Sequence, residues 1–298
     1  MLSRREMLIT PVAMMVAAEA AAAGKMTLSL HQNTSSMAGY RGSLEGWARG
    51  GIKNVEITAA LLDAFLKTES LASAKRVLTD NGLTPVSGAC GVGGLWEPNP
   101  NHAAALDNLK KRCEQFAELG LKHIYAPVGG MMKFTEDDYK TGADNMRSAG
   151  DVAKQFDLRM TAEFTRGSSF ISTLRTMLQV TRAAGHPSVK PLVDCYHFWS
   201  GNNKLEDLDL IRPNEIGHVH FQDVPDIPRE LLDNTTRLIP GDGISPLTTI
   251  LRKLADKGYA GPLSVELFLP KYQQADPFTL AQEIRQKAEG VMRKARVL

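Results

Sequence analysis

Between Leu158 and Glu266, four short apolar runs each end in a side chain able to bind a metal ion. Leu-Arg-Met-Thr-Ala-Glu closes at Glu163, Val-Lys-Pro-Leu-Val-Asp at Asp194, Ile-Gly-His-Val-His at His220, and Pro-Leu-Ser-Val-Glu at Glu266. Each run has the length of a β-strand, and helix-like sequence lies between most of them. Four consecutive strands that each deliver a carboxylate or an imidazole from the same end build one site. That site is the mouth of a β/α barrel, where the loops after the strands surround an open bowl.

The alternation runs back toward the N-terminus. Strands are expected at 26–31, 52–57, 84–89 and 122–126, and the four ligand-bearing strands begin near 158, 189, 216 and 262. Helical sequence covers 43–50, a stretch ending at 71–80, 102–119 and 136–156, with Asn81-Gly82 and Gly120 as stop signals. Further helices are expected at 170–184, 205–210, 246–257 and 277–296. Eight strand–helix units close a barrel of roughly 250 residues. An open doubly wound sheet competes with this reading, but no Gly-x-Gly-x-x-Gly turn follows an early strand. The expected fold class is α/β, a single (β/α)8 TIM barrel over residues 24–298.

Residues 1–23 read as an N-terminal export signal. Ser3-Arg4-Arg5 is followed by a mostly apolar run to Ala18 and then by alanines in Ala-x-Ala spacing. The paired arginines resemble a bacterial twin-arginine signal. An uncleaved membrane anchor is the alternative, disfavoured by Pro11 within the run and Glu19 beyond it. The expectation is a periplasmic or exported protein with no membrane attachment after cleavage.

A formal net charge of +2, with no block of like charge, excludes an advertised nucleic-acid stripe. Cys90, Cys113 and Cys195 are too few and too scattered for a disulfide framework or a CxxC zinc site. Cys195 is expected to continue its strand and face the helix layer as a small buried residue.

Glu163, Asp194, His220 and Glu266 are the expected metal ligands. Three carboxylates and one imidazole make an oxygen-rich set that suits Mn2+ first, with Mg2+, Co2+ or Zn2+ as the other candidates. Without a cation, three carboxylates meeting in one bowl repel one another. His218 and His220 share one side of a strand at different depths, so the outer His220 is the ligand and His218 a hydrogen-bonded layer residue. His197, just beyond the sixth strand, reads either as a substrate-facing group or as a surface loop histidine. Trp96, Phe198 and Trp199 sit on loops, where they could stack on a sugar or brace the loop. His31, Gln32, Asn33 and Glu56 are candidates to bind hydroxyls, and His102, His123 and His186 read as incidental.

These motifs together resemble the xylose isomerase-like barrel superfamily: the Glu of strand five, Asp-x-x-His (Asp194, His197), His-Val-His-Phe-Gln-Asp (His218 to Asp223), Arg-x-x-Pro-Gly-x-Gly (Arg237, Pro240, Gly241, Gly243) and Gly-Tyr-x-Gly-x-x-Ser-Val-Glu ending at Glu266. That superfamily includes ketose 3-epimerases, hydroxypyruvate isomerases, inosose dehydratases and endonuclease IV. The resemblance to ketose 3-epimerases implies one divalent ion on Glu163, Asp194, His220 and Glu266. It implies proton transfer by Glu163 and Glu266, with His197 and Arg237 holding a substrate oxygen. Two departures stand out. The stretch from His220 to Arg237 is longer than in those epimerases, and Arg166-Gly167-Ser168-Ser169 replaces a carboxylate that follows their strand-five Glu.

The expected activity is a metal-dependent sugar isomerase or epimerase acting on a keto-sugar through an enediolate. A dehydratase or lyase acting on an oxidised sugar or glycoside shares its first step. A non-catalytic sugar-binding barrel is the reading from a different class, and seven histidines with near-neutral charge count against an endonuclease. The expected partner is a small sugar, with no nucleic acid, and a homo-oligomer is left open.

Overall fold

Parallel strands and helices alternate through the computed structural model, which describes residues 25–298. The export signal expected over residues 1–23 lies outside the described residues. Among the described residues the strands are β1 (Thr27–His31), β2 (Asn54–Thr58), β3 (Thr84–Ala89), β4 (His123–Pro127), β5 (Arg159–Glu163), β6 (Val189–Asp194), β7 (His218–His220) and β8 (Pro262–Val265). Each pairs with the next in parallel, and β8 returns to β1 through the register Thr27↔Pro262 to Leu30↔Val265. The ring is the closed (β/α)8 barrel that the patterning predicts.

The helices are α1 (Gly39–Arg49), α2 (Ala59–Phe65), α3 (Leu71–Asp80), α4 (His102–Glu118), α5 (Glu136–Lys154), α6 (Leu174–Ala184), α7 (Cys195–Ser200), α8 (Leu247–Asp256), α9 (Pro270–Gln273) and α10 (Pro277–Ala295). Their ends follow local chemistry. In α5, Thr135 and Asp138 form a capping box with Glu136 and Asp137 in the first turn. In α6, the Thr173 side chain accepts the Thr176 N–H, and Gly185 ends the helix at φ 61°, where glycine carries no Cβ penalty.

Three local expectations are corrected. The helix expected from residue 170 begins at Leu174, because Ser168 Oγ accepts the N–H groups of Phe170 and Ile171 and holds a turn there. Residues Leu205–Leu210 form a 3-10 turn rather than an α-helix. Cys195 does not continue β6 but opens α7, although it is buried as expected.

The barrel axis is polar. Ser29 and His31, Thr161 and Glu163, His218 and His220, and Ser264 and Glu266 are pairs two residues apart, all buried. The residues between or beside them, Leu30, Ala162, Val219 and Val265, join the main apolar core instead. That core therefore lies in the layer between barrel and helices, and the axis is left free for polar chemistry.

Closure of the ring brings α1 against α10 at two glycines one turn apart. A Cβ on Gly46 would sit 2.6 Å from Pro277 Cβ, and one on Gly50 would sit 2.7 Å from Ala281 Cβ. No helix among the described residues is long and apolar enough to cross a membrane. Substituting Gly46→Val forces α1 off α10 at the seam of the barrel. The expected cost is about 1–3 kcal/mol, read as a fall in Tm of roughly 2–4 °C for each kcal/mol in a chain of this size, measured by calorimetry.

Candidate metal centre

Asp194 shows how the site is assembled from local structure. It ends β6, and its carboxylate accepts the His197 backbone N–H at 2.6 Å, which caps α7 and turns the chain over the strand end. His197 is thereby carried over the barrel and buried, not left on the surface. Glu163 ends β5, His220 ends β7, and Glu266 directly follows β8. One ligand atom from each of Glu163, Asp194, His220 and Glu266 lies within 4.8 Å of the others. His220 Nδ1 is 3.0 Å from Glu163 Oε1, 3.5 Å from Glu266 Oε2 and 3.6 Å from Asp194 Oδ2.

Electrostatics test whether this set fits a cation. Glu56, Glu163, Asp194 and Glu266 are all buried around the axis, and among the described residues the fixed positive charge paired with them is Arg237, on Asp194 and Glu266. Burial pushes the Glu163 carboxyl up to about 8, His220 opposing and the Asp194 and Glu266 carboxylates adding to the rise. Burial acts the same way on Asp194, but Arg237 and His197 outweigh it and hold that carboxyl well below the usual range. Burial lowers His220, yet Glu56, Glu266 and Glu163 outweigh it and raise the imidazole. A group of acids that must otherwise keep a proton on Glu163 is the donor set a divalent cation relieves. The residues present fit Mn2+, Mg2+, Co2+ or Zn2+.

Arg237 reaches this centre despite the long return from His220. Asp223 is the staple: its carboxylate accepts the N–H groups of Val224, Gly241, Gly243 and Ser245 at 2.9–3.0 Å. Its backbone also exchanges two hydrogen bonds with Leu238. Glycine is required at 243, where a Cβ would lie 2.2 Å from the Val224 carbonyl oxygen. The fixed loop delivers the Arg237 guanidinium to Asp194 Oδ2 at 2.9 Å and to Glu266 Oε2 at 2.6 Å. Its second nitrogen donates to His197 Nε2 at 3.0 Å, while His197 Nδ1 faces the Arg166 N–H at 3.4 Å.

The model of the xylose isomerase-like TIM barrel family matches residues 48–294. The chain belongs to that family. Among curated relatives, an inosose isomerase of Halalkalibacterium halodurans is 26% identical over 235 residues, 78% of this chain and 83% of that protein. A D-psicose 3-epimerase of Enterocloster bolteae is 23% identical, covering 78% of each chain. A 3-dehydroshikimate dehydratase of Pseudomonas putida is 24% identical over 57% of this chain and 27% of its own length. The crystal structure of an IOLI protein with a bound zinc atom superposes with a TM-score of 0.83 at 22% identity, over 91% of this chain and 99% of that one.

Other residues of this family member divide between the site and its scaffold. Trp96, expected as a substrate-facing aromatic or a brace, is sealed from solvent, with its indole N–H given to the Ala126 carbonyl at 3.0 Å; it braces the loop. Phe198 is likewise buried, and half-buried Trp199 packs against Tyr196, Val224 and Leu232. Gln32 is a scaffold residue, accepting the Thr58 N–H and donating to Ser43. Asn33 Nδ2 and the Tyr125 hydroxyl both donate to Glu266 Oε1, at 3.3 and 3.2 Å. Gln222 Nε2 donates to Asp194 Oδ2 at 2.5 Å. Sequence reasoning missed Tyr125, and it gave no role to Gln222 and Asp223 although both stand in the His218 to Asp223 motif. The first has a legible signal, since Tyr125 shares the alternating register of β4 with His123.

Two outcomes test this geometry. Asp223→Ala strips the acceptor from four backbone donors and lowers stability by about 2–4 kcal/mol, measured by urea denaturation. Asp194→Ala, with folding verified by circular dichroism, loses most of the divalent metal that the wild-type protein retains through gel filtration, measured by elemental analysis.

Proposed function

We propose that this protein is a divalent-metal-dependent sugar isomerase or epimerase acting on a keto-sugar. The observation that carries the reading is the buried convergence of Glu163, Asp194, His220 and Glu266. It brings two glutamates from well-separated strands, β5 and β8, to one point. The inosose isomerase and D-psicose 3-epimerase relatives support the reaction class, and the zinc atom of the IOLI protein supports a metal in this fold. Mn2+ is the proposed ion because three of the four donors are carboxylates.

Held by those four side chains, the cation supplies a positive charge that stabilises the negative oxygens of a deprotonated hydroxy-ketone. The chain's own residues do the rest. One of Glu163 and Glu266 takes the proton from the carbon beside the carbonyl, and the C–H electron pair moves into a carbon–carbon double bond as the carbonyl oxygen becomes an enediolate oxygen. The other glutamate returns a proton to the opposite face, which inverts that carbon; return to the neighbouring carbon gives isomerisation. Asn33 and Tyr125 fix one oxygen of Glu266, so its aim does not depend on the substrate. Arg237 and His197, which contact each other beside these carboxylates, are the residues the proposal assigns to holding a substrate oxygen. The proposed site of action is outside the cytoplasm, reached by the signal over residues 1–23.

A second reading is kept because the 3-dehydroshikimate dehydratase matches over half of this chain. The same proton abstraction, followed by loss of a β-hydroxyl, gives dehydration of an oxidised sugar. NMR of a keto-sugar panel in deuterated water separates the two. Deuterium at one carbon of recovered sugar is expected, and a new unsaturated product instead supports the dehydratase. Glu163→Gln and Glu266→Gln should each lower turnover by about 10²- to 10⁴-fold while sugar binding persists. Chelation should abolish activity and added Mn2+ should restore it; turnover that survives chelation and both substitutions overturns the proposal.

A further inference from the structure

Glu56 lies on β2, across the barrel axis from β5 and β6, and it is fully buried. One of its oxygens, Oε2, is 3.1 Å from His218 Nε2 and 3.3 Å from His220 Nε2. The two nitrogens of His220 therefore face different company. Nδ1 looks toward Glu163, Asp194 and Glu266, while Nε2 makes no hydrogen bond in the structure and has Glu56 Oε2, 3.3 Å away, as the carboxylate it faces. The His220 ring is clamped edge-on by Tyr125 at 4.8 Å, His218 at 5.4 Å and His31 at 5.6 Å between centroids. It has no room to exchange its two nitrogens by turning over.

We infer that Glu56 is a positioning residue: it accepts the Nε2 proton of His220 and so leaves Nδ1 as the free lone pair for the cation. The inference rests on the metal reading of the centre and adds the group that makes His220 a ligand. A neutral imidazole carries one proton, and its location decides which nitrogen can coordinate. With an acceptor beside Nε2, the proton stays there. Without it, the proton belongs on Nδ1, 3.0 Å from the Glu163 carboxylate, where it occupies the cation's place. His218 completes the device by donating to the same Glu56 oxygen, which holds that oxygen beside His220.

A competing role for Glu56 is to share a second cation with His31 and His220, since ligand atoms of the three lie within 4.8 Å of one another. His31 argues against it. Its Nδ1 accepts the Asn33 N–H, so Nε2 carries the proton and is engaged with the Tyr125 hydroxyl at 2.9 Å. The third donor is committed elsewhere, and a positioning role remains.

The test compares wild type, Glu56→Gln and Glu56→Met by competition titration of Zn2+ and by nitrogen-15 NMR of the zinc-loaded proteins. Wild type should bind zinc through Nδ1 of His220 and show a downfield, slowly exchanging Nε2 proton. Glu56→Met should weaken zinc binding by about 10- to 100-fold and lose that proton signal. Glu56→Gln, which keeps an oxygen acceptor, should recover part of both. A merely structural role would lower Tm and leave the His220 signals where they are. Affinity within twofold of wild type together with an unchanged Nε2 proton overturns the inference, and a stoichiometry of two zinc ions lost to one in Glu56→Met does so in favour of the second site. Should Glu56→Met not fold, the Glu56→Gln protein decides by the same two readouts. Wild type that binds no zinc at all defeats the metal reading itself, a different failure from the preceding ones.

Discussion

Charge confined to a buried axis is the constraint on which this barrel turns. Four carboxylates, from β2, β5, β6 and the end of β8, are buried about one axis, and Arg237 pairs with two of them, Asp194 and Glu266. Removing like charges from water and setting them near one another is costly, and the low local dielectric magnifies both the repulsion and any compensating attraction. The structure answers with directed partners for each carboxylate, though Glu56 Oε1 is left without one. Asp194 takes the His197 N–H, Gln222 and Arg237; Glu266 takes Asn33, Tyr125 and Arg237; Glu56 takes His218. Glu163 stands apart, with His220 as its directed partner, and its carboxyl is the one burial pushes up to about 8.

That asymmetry explains why the scaffold is arranged as it is. A polar axis cannot hold the fold together by apolar packing, so cohesion moves outward to the layer between strands and helices. Leu30, Ala162, Val219 and Val265 face that layer, while the residues alternating with them carry the hydroxyls, imidazoles and carboxylates. Stability and chemistry are thereby assigned to opposite faces of the same strands. The glycines where α1 meets α10 belong to the first task, and the Asp223 loop serves the second.

Much of this was legible in the sequence because strands and their ends obey a short period. Eight apolar runs spaced by helical stretches gave the ring, and the terminal Glu163, Asp194, His220 and Glu266 gave the centre. Element edges were less legible. The Ser168 turn delays α6, and Asp194 ends β6 by capping α7, and each depends on one side chain meeting one backbone N–H. Glu56 shows a deeper limit. Its sequence context, Asn-Val-Glu-Ile, is that of any half-polar strand, and its role is visible only once β2 and β7 are known to face each other across the axis. Trp96 shows the converse. An aromatic on a loop at the barrel mouth looks like a sugar platform until its indole is found bonded to Ala126 and closed to solvent.

The Asp223 staple separates the base of its loop from the tip. Residues 241–245 and Leu238 are tied down by that one residue, which keeps Arg237 in register. Most of residues 226–236, by contrast, lie exposed at the rim, Ile227 and Leu231 among them. Insertions, deletions and exchanges over residues 226–233 can therefore accumulate without displacing the arginine below, whereas Asn234 accepts a hydrogen bond from its guanidinium at 3.2 Å. Divergent descendants of such a barrel could reshape the doorway to their ligand while inheriting the same inner machinery, and a designer grafting new rim segments between residues 226 and 233 would be following the same seam.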